Sequence, residues 1–138
     1  MQSIQIIQAL CILLISALIL SEDIHLTVDP ITGAISNYSG GGISSGIDTS
    51  TYGKGAFINP FIIDPNNASR MYTANKALWR SDNIKASSTS SVTWTNLGTF
   101  DGSNSGHEIT IAPSNSKVMY VGVGTGSFYK ILNPADGP

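Results

Sequence analysis

The pair His107–Glu108 is the only place in the chain where an imidazole and a carboxylate are neighbours in sequence. Such groups can act as general acid and base. Inverting glycoside hydrolases require two carboxylates about 6.5–9.5 Å apart, and the sequence designates no partner for Glu108, which opens a predicted strand. Glu108 is therefore the candidate catalytic residue and His107 a candidate ligand-binding residue, but we expect no catalysis by this chain alone.

Aromatic side chains form the second group with chemical potential, because their flat faces can stack on sugar rings. Trp79 and Trp94 are the candidate ligand-binding aromatics. Both, together with Tyr72 and Tyr120, occupy predicted strand positions, where packing inside the protein is the favoured interpretation.

Oxygen ligands for a cation could come from Asp64, Asn66 and Asn67. The same short polar side chains also close tight turns by bonding to nearby backbone groups. We therefore predict no metal site and no cofactor. The segment Gly42–Gly46 matches a nucleophile-elbow pattern in letters only, because no helix is predicted after it.

Composition narrows the classes of partner. Charged residues make up 12% of the chain, and 7 Lys and Arg against 9 Asp and Glu give a net charge of −2. Without a basic patch, nucleic acid is excluded as an expected partner. Fourteen glycines and many Ser, Thr and Asn residues indicate numerous turns between short strands, which is an all-β composition.

The amino terminus differs in kind. Residues 4–20 are almost wholly apolar and are followed by Ser21-Glu22-Asp23. This length suits the apolar core of a signal peptide and is short for a membrane span. We predict that residues 1–21 are a signal peptide; an uncleaved hydrophobic anchor and a misassigned start or buried strand are the alternatives. Contact with a membrane is expected only through residues 4–20, if they are retained.

A ten-residue pattern occurs twice, at 63–72 and 111–120. Corresponding residues lie 48 positions apart (113 − 65 = 48), and a period of about 40–50 residues with strand-like content is typical of propeller blades. The matched structural positions are Pro65 and Pro113, Asn67 and Asn115, and Tyr72 and Tyr120.

The pattern predicts three regions. Residues 1–21 are the signal peptide or anchor, residues 22–55 a short strand followed by a Gly/Ser-rich linker, and residues 56–138 a partial β-propeller of about two four-stranded blades. The predicted strands are 24–28, 61–63, 70–74, 77–81, 92–97, 108–112, 118–123 and 127–131, with the junction between blades near 100–106.

Residues 56–133 resemble propeller repeats of the Asp-box (bacterial neuraminidase repeat) kind, as in sortilin-type receptors and xyloglucanase-like glycoside hydrolases. The resemblance rests on the segments 64–67, 71–72, 78–82 and 92–97 and on their second copies. An intact box runs Ser-x-Asp-x-Gly-x-Thr-Trp. Here Asp82 follows Ser81 directly, and residues 83–91 are an insertion before Thr93-Trp94. The resemblance implies that the box is a structural turn, with its Asp bonded to backbone amides and its Trp packed under a hairpin.

These observations lead to one expected function and two alternatives. We expect a fragment of a secreted β-propeller protein, a non-catalytic binding or scaffold module for extracellular carbohydrate or protein. The first alternative is the N-terminal part of a xyloglucanase-like, polysaccharide-degrading glycoside hydrolase whose active site lies largely in missing sequence. The second is a self-assembling repeat protein whose ends pair with other copies.

Overall fold

The computed structural model describes residues 22–29, 31–32, 35–102 and 104–137. These residues form nine strands, one short α-helix and one 3₁₀ turn at Thr89–Ser91. The elements are β1 Glu22–Val28, β2 Ile35–Gly42, α1 Thr49–Tyr52, β3 Phe61–Asp64, β4 Asn67–Ala74, β5 Ala77–Ser81, β6 Thr95–Thr99, β7 Gly106–Ala112, β8 Asn115–Val123 and β9 Phe128–Leu132.

The strands form three antiparallel sheets, ordered β1-β2, β3-β4-β5-β6 and β7-β8-β9. The predicted all-β class is confirmed. The β3-β4-β5-β6 sheet has the four strands predicted for a blade, whereas the β7-β8-β9 sheet has three in the described part of the chain, as many as the predicted strands 108–112, 118–123 and 127–131. Within those residues the sheets do not close into a ring or a barrel.

The structure differs from the expected linker at residues 36–55. Strand β2 pairs along its length with β1 despite its glycines, and Thr49–Tyr52 forms one helical turn. Asp48 caps that turn by accepting hydrogen bonds from the backbone N–H groups of Ser50 and Thr51, at 2.9 and 3.0 Å. Hydrogen bonds from Ser50 and Thr51 lower the pKa of Asp48 to about 2.

The apolar segment 4–20, including Cys11, lies outside the described residues, and so does the prediction of a signal peptide or anchor. Among the residues that are described, none belongs to a helix of the length and apolar character needed to cross a membrane.

The second and third sheets contain the same hairpin twice. Strand pairs β3–β4 and β7–β8 have matching registers 48 residues apart, and both contain a β-bulge at the same point, after Ile63 and after Ile111. The following hairpins also match: Tyr72 pairs with Arg80 as Tyr120 pairs with Lys130. The sequence repeat is therefore a repeat of strand register.

The two sheets pack against each other through one apolar core. The first contributes Tyr72, Ala74 and Leu78, which lie on one side of β4 and β5. This side, the Tyr72 face, meets the Met119 face of the other sheet, defined by Ile109, Ile111, Met119, Val121 and Val123. Phe100 joins this core, and its ring contacts Tyr129 at a centroid distance of 5.4 Å.

The opposite side of β4 is covered by loops. Met71 packs with Ile43, Ile84 and Val92 in a second, smaller core, with Trp94 at its margin. Both sides of β4 are therefore buried, which explains why Met71 and Tyr72, adjacent in sequence and on opposite faces, are both inaccessible.

The sheets approach most closely at Gly106. Its backbone N–H donates a 2.7 Å hydrogen bond to the carbonyl of Asn75. A Cβ atom on Gly106 would lie 2.4 Å from Cβ of Ala74. Glycine is required here by space, because any side chain would push the sheets apart.

We predict that Gly106→Ala lowers the free energy of unfolding by about 1–3 kcal/mol, since overpacking forces neighbouring backbone to move. Urea denaturation followed by circular dichroism measures it. Gly42→Ala is the matched control, because nothing lies within 4 Å of the added methyl group. Adding Ala74→Gly should reduce the penalty of Gly106→Ala; equal stability of Gly106→Ala and the parent would contradict the contact.

Candidate functional site

The candidate acid–base pair lies on β7 near the β8–β9 turn. Both His107 and Glu108 are exposed, and neither side chain has a hydrogen bond or ion pair with another described residue. The His107 ring lies against the turn, where a Cβ on Gly124 would be 2.9 Å from its Nε2. Glu108 pairs across the strands with Gly122.

The two tryptophans are engaged in packing. Trp79 is buried, meets the ring of Tyr52 edge-on at 5.6 Å, and donates a 3.0 Å hydrogen bond from Nε1 to Oδ1 of Asn75. Trp94 is half-buried beside the second core, and its Nε1 donates to the carbonyl of Ile43 at 2.6 Å. The indole N–H groups of both side chains are used inside the protein; the ring of Trp79 is covered, and that of Trp94 is half-buried.

The repeated turn residues have equivalent local geometry. Asn67 Oδ1 accepts a 3.1 Å bond from the N–H of Ser69, and Asn115 Oδ1 accepts a 3.0 Å bond from the N–H of Lys117. The prolines Pro65 and Pro113 are exposed in the preceding turns. Each Asn thus closes its own turn, as its residue type predicts.

The turn of the first repeat is also hydrogen-bonded to the turn of the second. Asp64 is buried, and its Oδ1 accepts hydrogen bonds from the N–H of Asn66 at 2.9 Å and from the hydroxyl of Ser116 at 2.5 Å. The Asn66 amide group donates to the carbonyl of Pro113 at 3.3 Å. These residues, considered from sequence as oxygen ligands, instead join the turns of the two repeats.

The strongest electrostatic cluster surrounds Asp82. Its two carboxylate oxygens accept from Nε of Arg70 at 2.5 Å and from Nε of Arg80 at 2.8 Å. Arg80 reaches the second repeat, where its Nη1 donates to the carbonyl of Pro134 at 2.8 Å. The resemblance implied that an Asp in this region bonds backbone amides, whereas Asp82 pairs with guanidinium groups.

Asn83 closes the loop formed by residues 83–91, and the sequence analysis missed this role. Its Oδ1 accepts a 3.0 Å bond from the N–H of Thr93, and its amide donates a 2.8 Å bond to the carbonyl of Ser91. Asn83 stands two residues after Ser81, the spacing of Ser and Asp in an intact box. That spacing was the signal available in the sequence, since Asn can accept the same bonds as Asp.

The two repeated tyrosines differ in environment. Tyr72 is fully buried and its hydroxyl has no hydrogen-bond partner among the described residues. Burial raises the pKa of Tyr72 above 10.0, although the positive charge of Arg70 opposes this. Tyr120, expected to pack as Tyr72 does, has 42% of its surface exposed.

The described residues contain no group of three or more His, Cys, Asp or Glu side chains placed to hold a metal ion. The polar side chains of Asp64, Arg80 and Asn83 hold turns and sheets together.

No family model matches the chain, and neither a curated protein nor a solved structure is similar to it.

We predict that Ser116→Ala lowers the free energy of unfolding by about 1–3 kcal/mol, because it removes a hydrogen bond from a buried carboxylate. Ser114→Ala is the matched control, since Ser114 is an exposed residue of the same turn. Thermal and urea denaturation of both variants measures the difference. Equal stabilities would show that the contact between turns contributes nothing.

Asp82 should make stability depend on pH. Partial burial acts to raise the pKa of Asp82, but the hydrogen bond from Arg70 and the positive charges of Arg80 and Arg70 outweigh it and lower that pKa below 3.8. A lowered folded-state pKa stabilises the fold above about pH 4, and this stabilisation is lost as the pH falls through the folded-state value.

Accordingly, Asp82→Asn should cost about 0.5–1 kcal/mol at pH 7, because the carboxylate is half-exposed, and less at about pH 2, because protonation of the carboxylate removes the pairing. Urea denaturation across this pH range tests it. Glu108→Gln, at a carboxylate outside any ion pair of the described residues, should not change stability at pH 7. A cost for Asp82→Asn that is the same at both pH values would refute the ion-pair argument.

Proposed function

We propose that this chain is part of a secreted repeat protein of the Asp-box β-propeller type and serves as a non-catalytic scaffold or binding module. The observation that carries the proposal is the stacking of two equivalent hairpins in the same orientation. The Tyr72 face of one sheet meets the Met119 face of the next. Residues 1–21 would direct secretion as a signal peptide.

Like-oriented stacking matters because it can continue. Met119 is the repeat counterpart of Met71, so the β7-β8-β9 sheet receives its predecessor on the side of its Met and would receive a successor on the side of its Tyr. Two sheets related by a dyad would instead bury the same side twice and stop. Repetition of one such step around an axis is how propeller blades are arranged.

The turn at Asn83 supports the Asp-box part of the proposal. Ser81, Asn83, Thr93 and Trp94 occupy the order Ser-x-Asp…Thr-Trp with Asn in place of Asp. The hydrogen bond from the N–H of Thr93 to Asn83 closes the loop across the insertion, so the insertion leaves the turn intact.

The non-catalytic part rests on Glu108 and His107, whose side chains are exposed and make no hydrogen bond or ion pair in the described part of the chain. Between the two ligand classes, protein is favoured over carbohydrate. Trp79 and Trp94 are packed, whereas exposed apolar side chains, which suit a protein surface, lie on the third sheet.

The test is incubation of the purified chain with xyloglucan and with cellulose, followed by measurement of new reducing ends. We expect no release above the buffer blank and no difference between the parent and Glu108→Gln. Release that Glu108→Gln abolishes would overturn the proposal in favour of a glycoside hydrolase. Electrophoresis in gels containing xyloglucan tests ligand class: retardation that Trp94→Ala abolishes would make carbohydrate the ligand.

A further inference from the structure

The outward side of the β7-β8-β9 sheet carries an unusual set of exposed apolar residues. Tyr120 is 42% exposed, Phe128 75% and Leu132 62%. They alternate along β8 and β9 with the residues that pack into the core, and they share their side of the sheet with Val118 and Lys130. We call this side the Tyr120 face.

Strand register identifies the counterpart of this face in the β3-β4-β5-β6 sheet. Tyr72 pairs with Arg80 and Ala74 with Leu78, as Tyr120 pairs with Lys130 and Gly122 with Phe128. The Tyr120 face is therefore the repeat equivalent of the Tyr72 face. The residue classes are preserved: an aromatic ring, a basic side chain and a large apolar side chain occupy the same three places.

The first of these faces is covered and the second is not. Tyr72 is 0% and Leu78 2% exposed, because the Met119 face lies on them. Arg80 is also held across that junction through the carbonyl of Pro134. On the Tyr120 face, Lys130 is exposed, and its side chain makes no hydrogen bond or ion pair with a described residue.

We infer that the Tyr120 face is a docking surface for a further β-sheet of the same repeat, one that presents Ile, Met and Val at the positions of Ile111, Met119 and Val121. This inference rests on the proposed repeat scaffold and names the partner of its Tyr120 face. Lys130 would donate to a backbone carbonyl of the docking sheet, at the place that corresponds to Pro134.

A second copy of this chain is not the occupant. The face that it would have to present in a like-oriented stack is the Met71 side of β4, and that side is already covered by Ile43, Ile84 and Val92. Docking of a second copy would require this small core to open.

The experiment adds one period to the full chain. Residues 90–137, which supply one further copy of β6 to β9, are repeated after Gly137. The added sheet should cover the Tyr120 face. We expect fluorescence of a bound hydrophobic dye to fall severalfold from that of the parent, and the Tm to rise by on the order of 5 °C or more.

Matched variants in the added copy separate docking from a general effect of chain length. Met119→Asp placed there should return dye binding and Tm to the parent values, because it puts a charge into the new interface. Thr125→Asp in the added copy lies in an exposed turn and should retain the gain. An extended chain with the dye binding and Tm of the parent would overturn the inference, as would indifference to Met119→Asp.

Sedimentation of the unmodified chain tests the alternative occupant. We expect no dimer that depends on Tyr120 at micromolar concentration. A dimer that Tyr120→Lys dissociates would show that the occupant of the Tyr120 face is a second copy of the chain, and would overturn the inference. These readouts are independent of sugar release, so failure of docking and failure of the non-catalytic proposal can be told apart.

Discussion

The contact between the Tyr72 face and the Met119 face is the constraint on which the rest of this structure depends. A strand pair or a single small sheet cannot bury enough apolar surface to be stable alone. Here the β7-β8-β9 sheet buries the residues of its Met119 face only because the Tyr72 face of the β3-β4-β5-β6 sheet covers them. The requirement for close approach then fixes Gly106 as glycine, since Ala74 occupies the space that a side chain would need.

Polar contacts between the two repeats add to this apolar packing. Asp64 reaches Ser116, and Arg80 reaches the carbonyl of Pro134, so the first repeat holds the second by hydrogen bonds as well as by apolar contact. Buried polar groups need such partners, because they lose water on folding. A residue that looks like a ligand or a catalyst in the sequence can therefore be fully occupied in the fold. His107 and Glu108 are different, since their side chains are exposed beside a hairpin turn and make no hydrogen bond or ion pair in the described part of the chain.

Strands were readable where side chains alternate and where Asn or Pro marks a turn. Strands β3, β4, β5, β7, β8 and β9 were each predicted within three residues of their observed ends. Strand β2 was missed because its glycine and serine content is typical of a linker; its partner β1, and not its own residues, makes it a strand. Asn83 was missed because an Asp was sought at that turn, although Asn offers the same acceptor oxygen.

The sequence by itself determined the repeat, its period, and the turns at Asn67 and Asn115, because these depend on local residue types and on self-similarity along the chain. Only the tertiary structure decided which side of each strand is covered. Tyr72 and Tyr120 are the same residue in the same local pattern, yet one is buried and the other exposed. The difference comes from residues about fifty positions away, and burial by distant neighbours is not encoded in any local pattern. For the same reason the sequence could name Trp79 and Trp94 as candidate ligand residues and favour packing for both, while only the structure shows how far each is covered: Trp79 is buried and Trp94 half-buried.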